Sequence, residues 1–404
     1  MKIMMKKFFA AISAIALLAS CDGGDTMGPG NTLTPEENKA RLEQCAMNVL
    51  GKINPQDHQV LIETIESFTN KADYGLSLKD QFSLKSKMSA VDVICKAVTS
   101  YNPVLLSELA TDRDYLSIPS GIYTFDESLQ QWNKTPSEDL QFIFDANGAE
   151  ASISVRWSGQ EFSLQPDNSK EIVVPEHIEM LINRGNASLA TLTVNTAAVD
   201  IETIKLDCEV SLQTIGDYSW LADVNLTASG ATATASMDKS SSNIVSTVAG
   251  LQLEPSLVHA NMDEDDLEKA VLSGTTTTVI NSELMLIGNL SKAQEMLGRI
   301  NNINASSERD HYIEEASIIN QYVDAYLMYA GEGSAFASIE TQAYLSYEYN
   351  YGDIHIENYD IEPVIVFASD ASRYSFDEYF NEADFANFVQ NFRALYDQYE
   401  AMID

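Results

Sequence analysis

The chain has 404 residues, 45% of them apolar, and carries 24 Lys and Arg against 60 Asp and Glu, a formal charge of −36. That length and apolar share support a sizeable core, either as two to three domains or as one large β-rich body with a smaller partner. The charge argues against nucleic acid and anionic lipid headgroups as partners, because both are held through Lys and Arg.

Lys2, Lys6 and Lys7 precede an apolar run from Phe8 to Leu18. The run is too short to remain in a membrane as a span, and no later segment reaches that length. Leu18-Ala19-Ser20-Cys21 resembles the lipobox of bacterial lipoproteins. The resemblance implies that residues 1–20 are removed as a signal peptide and that Cys21 carries lipid. Losing three lysines leaves 21 basic residues against 60 acidic ones. Membrane attachment then rests on the acyl chains at Cys21, since two or more chains anchor stably where one does not. Residues 21–33, rich in Gly with Asp22 and Asp25, read as a flexible tether that cannot bury a core. Those aspartates resemble the surface-export signals of Bacteroidetes lipoproteins. Asp25-Thr26-Met27 is similar to the O-glycosylation pattern of that phylum, which implies Thr26 as an attachment site; a plain spacer is the alternative for both.

A helical bundle is expected over 34–112. Thr34 caps, Pro35 fits the first helical position, and Glu37 completes a capping box. Leu42, Cys45, Ala46, Val49, Leu50 and Ile53 follow at helical spacing. A second helix near 56–69 is expected to bury Leu61, Ile65 and Phe68. A third, near 86–101, buries Met88, Val91, Cys95 and Val98 and stops before Pro103. Cys45 and Cys95 both lie on apolar helix faces, so they form either a disulfide or two separately buried thiols. Cys208 reads as a small core residue in a strand.

From 113 to 288 alternation dominates. Leu140, Phe142 and Phe144 are expected to pair with Ile153, Val155 and Trp157 across Asp145-Ala146-Asn147-Gly148. Ile178, Met180 and Ile182 turn into Ala190, Leu192 and Val194. Further strands carry Ile204 to Leu212, Trp220 to Leu226 and Ala231 to Met237. Strands in succession without helices predict an antiparallel sheet with one face covered. The acidic segment 263–266 reads as a helix start, preferred over a calcium loop because it lacks spaced ligands and a central glycine. A long strand is expected through Val279 to Ile287.

An α/β region over 289–404 packs on that sheet. Helices are expected from Ser291 to Ile300 and from Ser307 to Ile319, then strands through Val323 to Tyr329 and through Tyr347, Tyr349 and Tyr351. Phe385, Phe388, Val389, Phe392, Leu395, Tyr396 and Tyr399 form the stripe of a terminal amphipathic helix. The last 100 residues hold 13 of the 18 tyrosines, with 3 basic residues against 20 acidic ones. Tyr347, Tyr349 and Tyr351 fall on one strand face, a candidate platform for sugars, although ordinary cross-strand pairing uses the same residues.

Motifs of known chemistry are missing from the sequence: there is no HExxH, GxSxG, Walker loop, GxGxxG or CxxC pair. The five histidines are scattered. His311 with Glu314 and Glu315 lacks a third zinc ligand, so neither a metal nor another cofactor is expected. Gly121-Ile122-Tyr123-Thr124-Phe125 with Trp132, and Pro363 to Ala368 with Tyr374 to Phe380, resemble Bacteroidetes cell-envelope lipoproteins. The resemblance implies an outer-membrane setting, on the periplasmic or surface side, and carries no activity. A long antiparallel sheet with helices is also similar to the half-barrels of lipoprotein-carrier proteins. The expected fold is therefore α+β: an N-terminal helical bundle, a large, mainly antiparallel sheet with a curved half-barrel as one form, and a C-terminal amphipathic helix. The expected role is non-enzymatic binding of an apolar ligand or an envelope partner. Glycan binding by the C-terminal tyrosines comes next, then a hydrolase with an unidentified carboxylate pair, then a purely structural surface protein.

Overall fold

A computed structural model describes residues 33–72, 120–164, 172–200, 203–259, 269–351 and 354–403. Cys21, Thr26, Cys95, the third expected helix and the acidic segment 263–266 lie outside the described residues. Two helices open the described chain, α1 (Pro35–Lys52) and α2 (Gln59–Ala72), separated by a 3₁₀ turn at Pro55–Asp57. Strands β1 (Gly121–Asp126), β2 (Gln131–Thr135), β3 (Leu140–Ala146), β4 (Ala149–Leu164), β5 (Ile172–Arg184), β6 (Ala187–Asp200), β7 (Lys205–Thr214), β8 (Tyr218–Thr227), β9 (Gly230–Lys239), β10 (Ser242–Leu253), β11 (Val271–Ile280) and β12 (Leu284–Leu290) follow. Then come α3 (Ala293–Ile300), α4 (Glu308–Tyr322), β13 (Val323–Tyr329), β14 (Ala335–Tyr351), β15 (Ile354–Phe367), β16 (Arg373–Ser375), α5 (Phe376–Tyr379) and α6 (Ala386–Ile403).

The fold is α+β, with sixteen strands ordered β16-β15-β14-β13-β12-β11-β10-β9-β8-β7-β6-β5-β4-β3-β1-β2. It divides into two compact units. One takes α1 up to Leu50, β11–β16 and α3–α5; the other takes α2 and β1–β9. The chain passes between them inside β10, after Ile244, and inside α6, after Asn391. Among the described residues no helix is long and apolar enough to cross a membrane.

In the β1–β9 unit, tight turns set the registers. Asn147 and Gly148 have φ of 52° and 80°, the left-handed pair that a two-residue hairpin turn requires. That turn places Leu140 opposite Val155, Phe142 opposite Ile153 and Phe144 opposite Ala151. Trp157 instead faces Ile178 on β5. The register thus differs by two residues from the expected pairing, because the turn is confined to Asn147-Gly148 and Ala146 already pairs with Ala149. Across β5 and β6 the register is as expected: Ile178 meets Val194, Met180 meets Leu192, and Ile182 meets Ala190. One pair departs from the antiparallel expectation. β1 runs parallel to β3, with Tyr123 beside Phe142, because the β1–β2 hairpin returns before β3 begins.

These alternating residues form a continuous core through Leu140, Phe142, Ile153, Ile182, Val194, Leu206, Cys208 and Val224. Each fully buried large side chain in it contributes about 1.5–3 kcal/mol. Helix α2 lays Leu61 and Phe68 on that face, and Phe68 sits 5.3 Å from Phe142 and 5.5 Å from Phe144, ring centre to ring centre. Ile65, expected inside, is exposed, and Thr64 is buried in its place. The helix is rotated so that 61, 64 and 68 point inward, and Thr64 satisfies its hydroxyl by donating to the Val60 carbonyl at 2.6 Å. Glu63 then ties the helix to two hairpin turns, accepting from Arg184 at 3.0 Å and Asn147 at 3.3 Å.

The other unit starts with the expected capping box. Glu37 N–H donates to Thr34 Oγ1 at 3.2 Å, and Thr34 N–H donates to Glu37 Oε2 at 2.8 Å. The strand expected through Val279 to Ile287 is two strands. Asn281 and Ser282, both at φ 56°, turn β11 into β12 so that Ile280 faces Leu284. The sheet continues past residue 288, since β13 pairs along β12 with Leu286 beside Leu327. Leu42, Leu286, Leu327, Tyr329, Phe336, Ile365, Phe367, Tyr379 and Phe385 make this unit's core.

Candidate functional site

The expected tyrosine platform lies at the far end of a two-stranded ribbon. β13 pairs with β14 only as far as Ile339, and β16 pairs with β15 only over Val364–Val366. Beyond those limits β14 and β15 continue as partners of each other, out to Tyr351 opposite Ile354. Helix α4 lies against both strands. Where β13 stops, the Asn320 carboxamide takes over its role: it donates to the Thr341 carbonyl at 2.8 Å and accepts from the Thr341 N–H at 2.7 Å. Glu308 similarly accepts from the Tyr359 N–H at 3.2 Å. The strand edge is closed at its root and open further out.

An extra residue, Ser346, interrupts the ladder between Leu345 and Tyr347. Its hydroxyl donates to the Asn358 carbonyl at 2.9 Å. Opposed residues of an antiparallel pair share a face, and alternate residues of one strand share it too. Tyr344, Tyr347 and Tyr349 face Asp360, Asn358 and Ile356 in register, so all three tyrosines stand on one side. In an unbulged strand Tyr344, three residues from Tyr347, would point the other way. The Tyr347 and Tyr349 rings lie 5.8 Å apart and 14° from parallel. They are 57% and 44% exposed. Tyr351 ends β14, paired with Ile354. On the opposite face Glu348 stands across from Glu357, which accepts from the Tyr359 hydroxyl at 2.8 Å; that bond raises the phenol's pKa.

A second cluster joins residues far apart in sequence, and sequence reasoning missed it. Tyr218 is buried, and its hydroxyl donates to the Lys52 carbonyl at 2.9 Å while accepting from the Asn54 N–H and the Lys239 ammonium, each at 2.9 Å. Lys239 also bonds Asp57 at 2.7 Å, which holds the Asp57 carboxyl below its ordinary value. Gly216 makes this approach feasible: it has φ 85°, and a Cβ there would lie 2.7 Å from that of Asp57. Beside it, His58 Nδ1 bonds the Tyr399 hydroxyl of α6 at 2.7 Å, and its ring rests 4.5 Å from Tyr218. His58 Nε2 is buried without a hydrogen-bond partner among the described residues. Burial lowers this imidazole's pKa, opposed by Asp57 and assisted by Lys239. The arrangement fastens the end of α6 to its unit.

A shallow groove of about 310 Å³ lies where Arg156, Trp157, His177, Glu179, Glu138 and Asp139 meet. Arg156 and Glu179 stand 4.0 Å apart, so the groove's cation is already matched. Glu209 can only accept from Asn195 Nδ2, at 3.1 Å, which turns Asn195 Oδ1 toward His177 Nδ1, at 2.7 Å. Nδ1 therefore carries the proton. The row is a satisfied polar sheet face.

Cys45 is buried, its Sγ 3.8 Å from the Ile280 carbonyl. His311 lies 3.7 Å from Glu315. Among the described residues no three His, Cys, Asp or Glu side chains gather as a metal site needs. No protein-family model matches the chain, and neither a curated protein nor a solved structure matches it.

Proposed function

We propose that this chain is a non-enzymatic, lipid-anchored protein of the cell envelope that binds glycan through Tyr347 and Tyr349. One observation carries the reading: two near-parallel tyrosine rings, both largely exposed, at the end of a ribbon that buries neither. Tyrosine offers rigid amphipathic area at low entropic cost, and its ring face packs on the C–H face of a sugar while the hydroxyl stays wet. The anchor rests on Lys2, Lys6, Lys7, the run Phe8–Leu18 and Cys21.

The apolar-ligand reading ranks behind it for a physical reason. Ile153 and Val155, which an open apolar trough needs on its lining, are buried in the same core that Phe68 joins. The test is retention of the full chain on immobilised polysaccharides. Tyr349→Ala is expected to lose the retention that the parent protein shows. Equal retention of parent and variant would remove the platform from the account. Metabolic labelling with a clickable palmitate analogue checks the anchor separately: Cys21→Ala should not label.

A further inference from the structure

Resting on that glycan reading, the charge around the ribbon defines the ligand class: we infer that the Tyr347–Tyr349 platform accepts glycans without carboxylate or sulfate groups and rejects polyanionic ones. Between Arg309 and Arg373 the chain contains no Lys or Arg and 12 Asp and Glu. The platform sits in the middle of that stretch. Glu348 lies between the two tyrosines in sequence and Glu357 stands directly opposite it, while Asp360 is in register with Tyr344 on the tyrosines' own face.

The two arginines that bound this stretch do not offset it. Arg373 is 2.9 Å from Glu340 at the root of the ribbon, which consumes its charge locally. Arg309 acts on Tyr359, but there it is set against Glu357 and Glu348. A sugar chain seated on the two rings therefore meets a strand pair with Asp360 on its own face and Glu348 and Glu357 on the other, and such charges act over a screening length of about 8 Å at physiological salt. Uronate or sulfate groups would be brought against like charge with no Lys or Arg in β14 or β15 to receive them, whereas proteins that take acidic ligands supply Arg forks. An uncharged glycan carries no group that these carboxylates repel, so its contact with the two rings is unopposed.

The experiment is a glycan array printed with uncharged, carboxylated and sulfated oligosaccharides, probed at low and at physiological salt. It uses the full chain, Tyr349→Ala, and the triple variant Glu348→Gln, Glu357→Gln, Asp360→Asn. The parent protein should bind uncharged glycans with little salt dependence, and bind their carboxylated counterparts at least tenfold more weakly at low salt. The triple variant should keep its uncharged ligands within twofold and narrow the gap at least threefold. Equal binding of uncharged and carboxylated glycans by the parent, lost in Tyr349→Ala, would overturn the charge selection and leave the platform standing. An unchanged gap in the triple variant would do the same. No binding to any sugar would remove the glycan reading and this inference with it.

Discussion

The tyrosines at the root of β14 and those at its tip belong to the same unit and obey opposite rules. Tyr329 and Tyr379 are buried at 1% and 0% exposure, and each hydroxyl has a partner: Tyr329 donates to Asn38 Oδ1 at 3.0 Å, and Tyr379 donates to the Pro35 carbonyl at 2.8 Å. Burial pushes both phenols above their ordinary pKa. The rings are also packed, Tyr329 under the Arg41 guanidinium at 3.4 Å and Tyr379 at 4.9 Å from Phe367. Tyr347 and Tyr349 stand largely in solvent with each other as their aromatic neighbour. Residue type alone does not separate the two sets. What separates them is whether helix and strand neighbours close over the ring, and at the tip they do not.

The comparison is broken most directly at the root. Tyr379→Ala removes a buried ring from contacts with Phe367, Tyr374 and Phe380 and leaves a cavity. Such truncations cost about 3–5 kcal/mol. Denaturant melts of the purified variant should show that loss, and a loss below about 1 kcal/mol would mean the aromatic core is not packed as described.

Tyr218 tests whether the rule extends to the other unit. Tyr218→Phe keeps the ring but strands the Asn54 N–H and the Lys52 carbonyl that its hydroxyl serves. Leaving buried polar groups unsatisfied costs about 1–3 kcal/mol. The same melts should place this variant between Tyr379→Ala and any change at the ribbon tip.

The neighbouring His58 gives a pH signature instead. Its imidazole is held below the ordinary 6.5 in the folded chain, so the unfolded chain binds the proton more readily. Above 6.5 both states are neutral and nothing is contributed; as pH falls through that value the folded state loses stability until its own imidazole protonates. Denaturant midpoints measured between pH about 7.5 and about 5.5 should fall more steeply for the parent than for His58→Gln. Parallel curves would show that the ring is accessible to solvent protons.

Much of this architecture was legible because local chemistry and long-range pairing agree. Asn147-Gly148 and Gly185 announce their turns, and Thr34 with Glu37 announces α1. The turn at Asn281-Ser282 was hidden because neither residue is glycine, although both adopt the left-handed region. Thr64 displaced Ile65 from the inner face of α2 because a threonine hydroxyl can be silenced by its own helix, which periodicity of apolar residues does not register. The alternation of Tyr347 and Tyr349 was readable in the sequence. The extra residue at Ser346, which brings Tyr344 to the same face, was not, since only the register with β15 reveals it. The His58–Tyr399 contact spans 341 positions, and no local pattern encodes it.

The smallest stability effect is expected where the functional effect is largest. Tyr347→Ala with Tyr349→Ala removes two exposed rings and fills no cavity, so the melt should stay within about 0.5 kcal/mol of the parent. Glycan retention should nevertheless vanish. The two readouts together discriminate between the roles of these residues. If the rings stabilised the ribbon by cross-strand packing, each cross-strand pair would contribute roughly 0.2–1 kcal/mol, and the double variant would destabilise the protein in proportion. A stable variant that still binds would show that the sugar lies elsewhere. A destabilised variant would show that the rings serve the ribbon rather than a ligand. Only loss of retention at unchanged stability fits a surface kept exposed for contact.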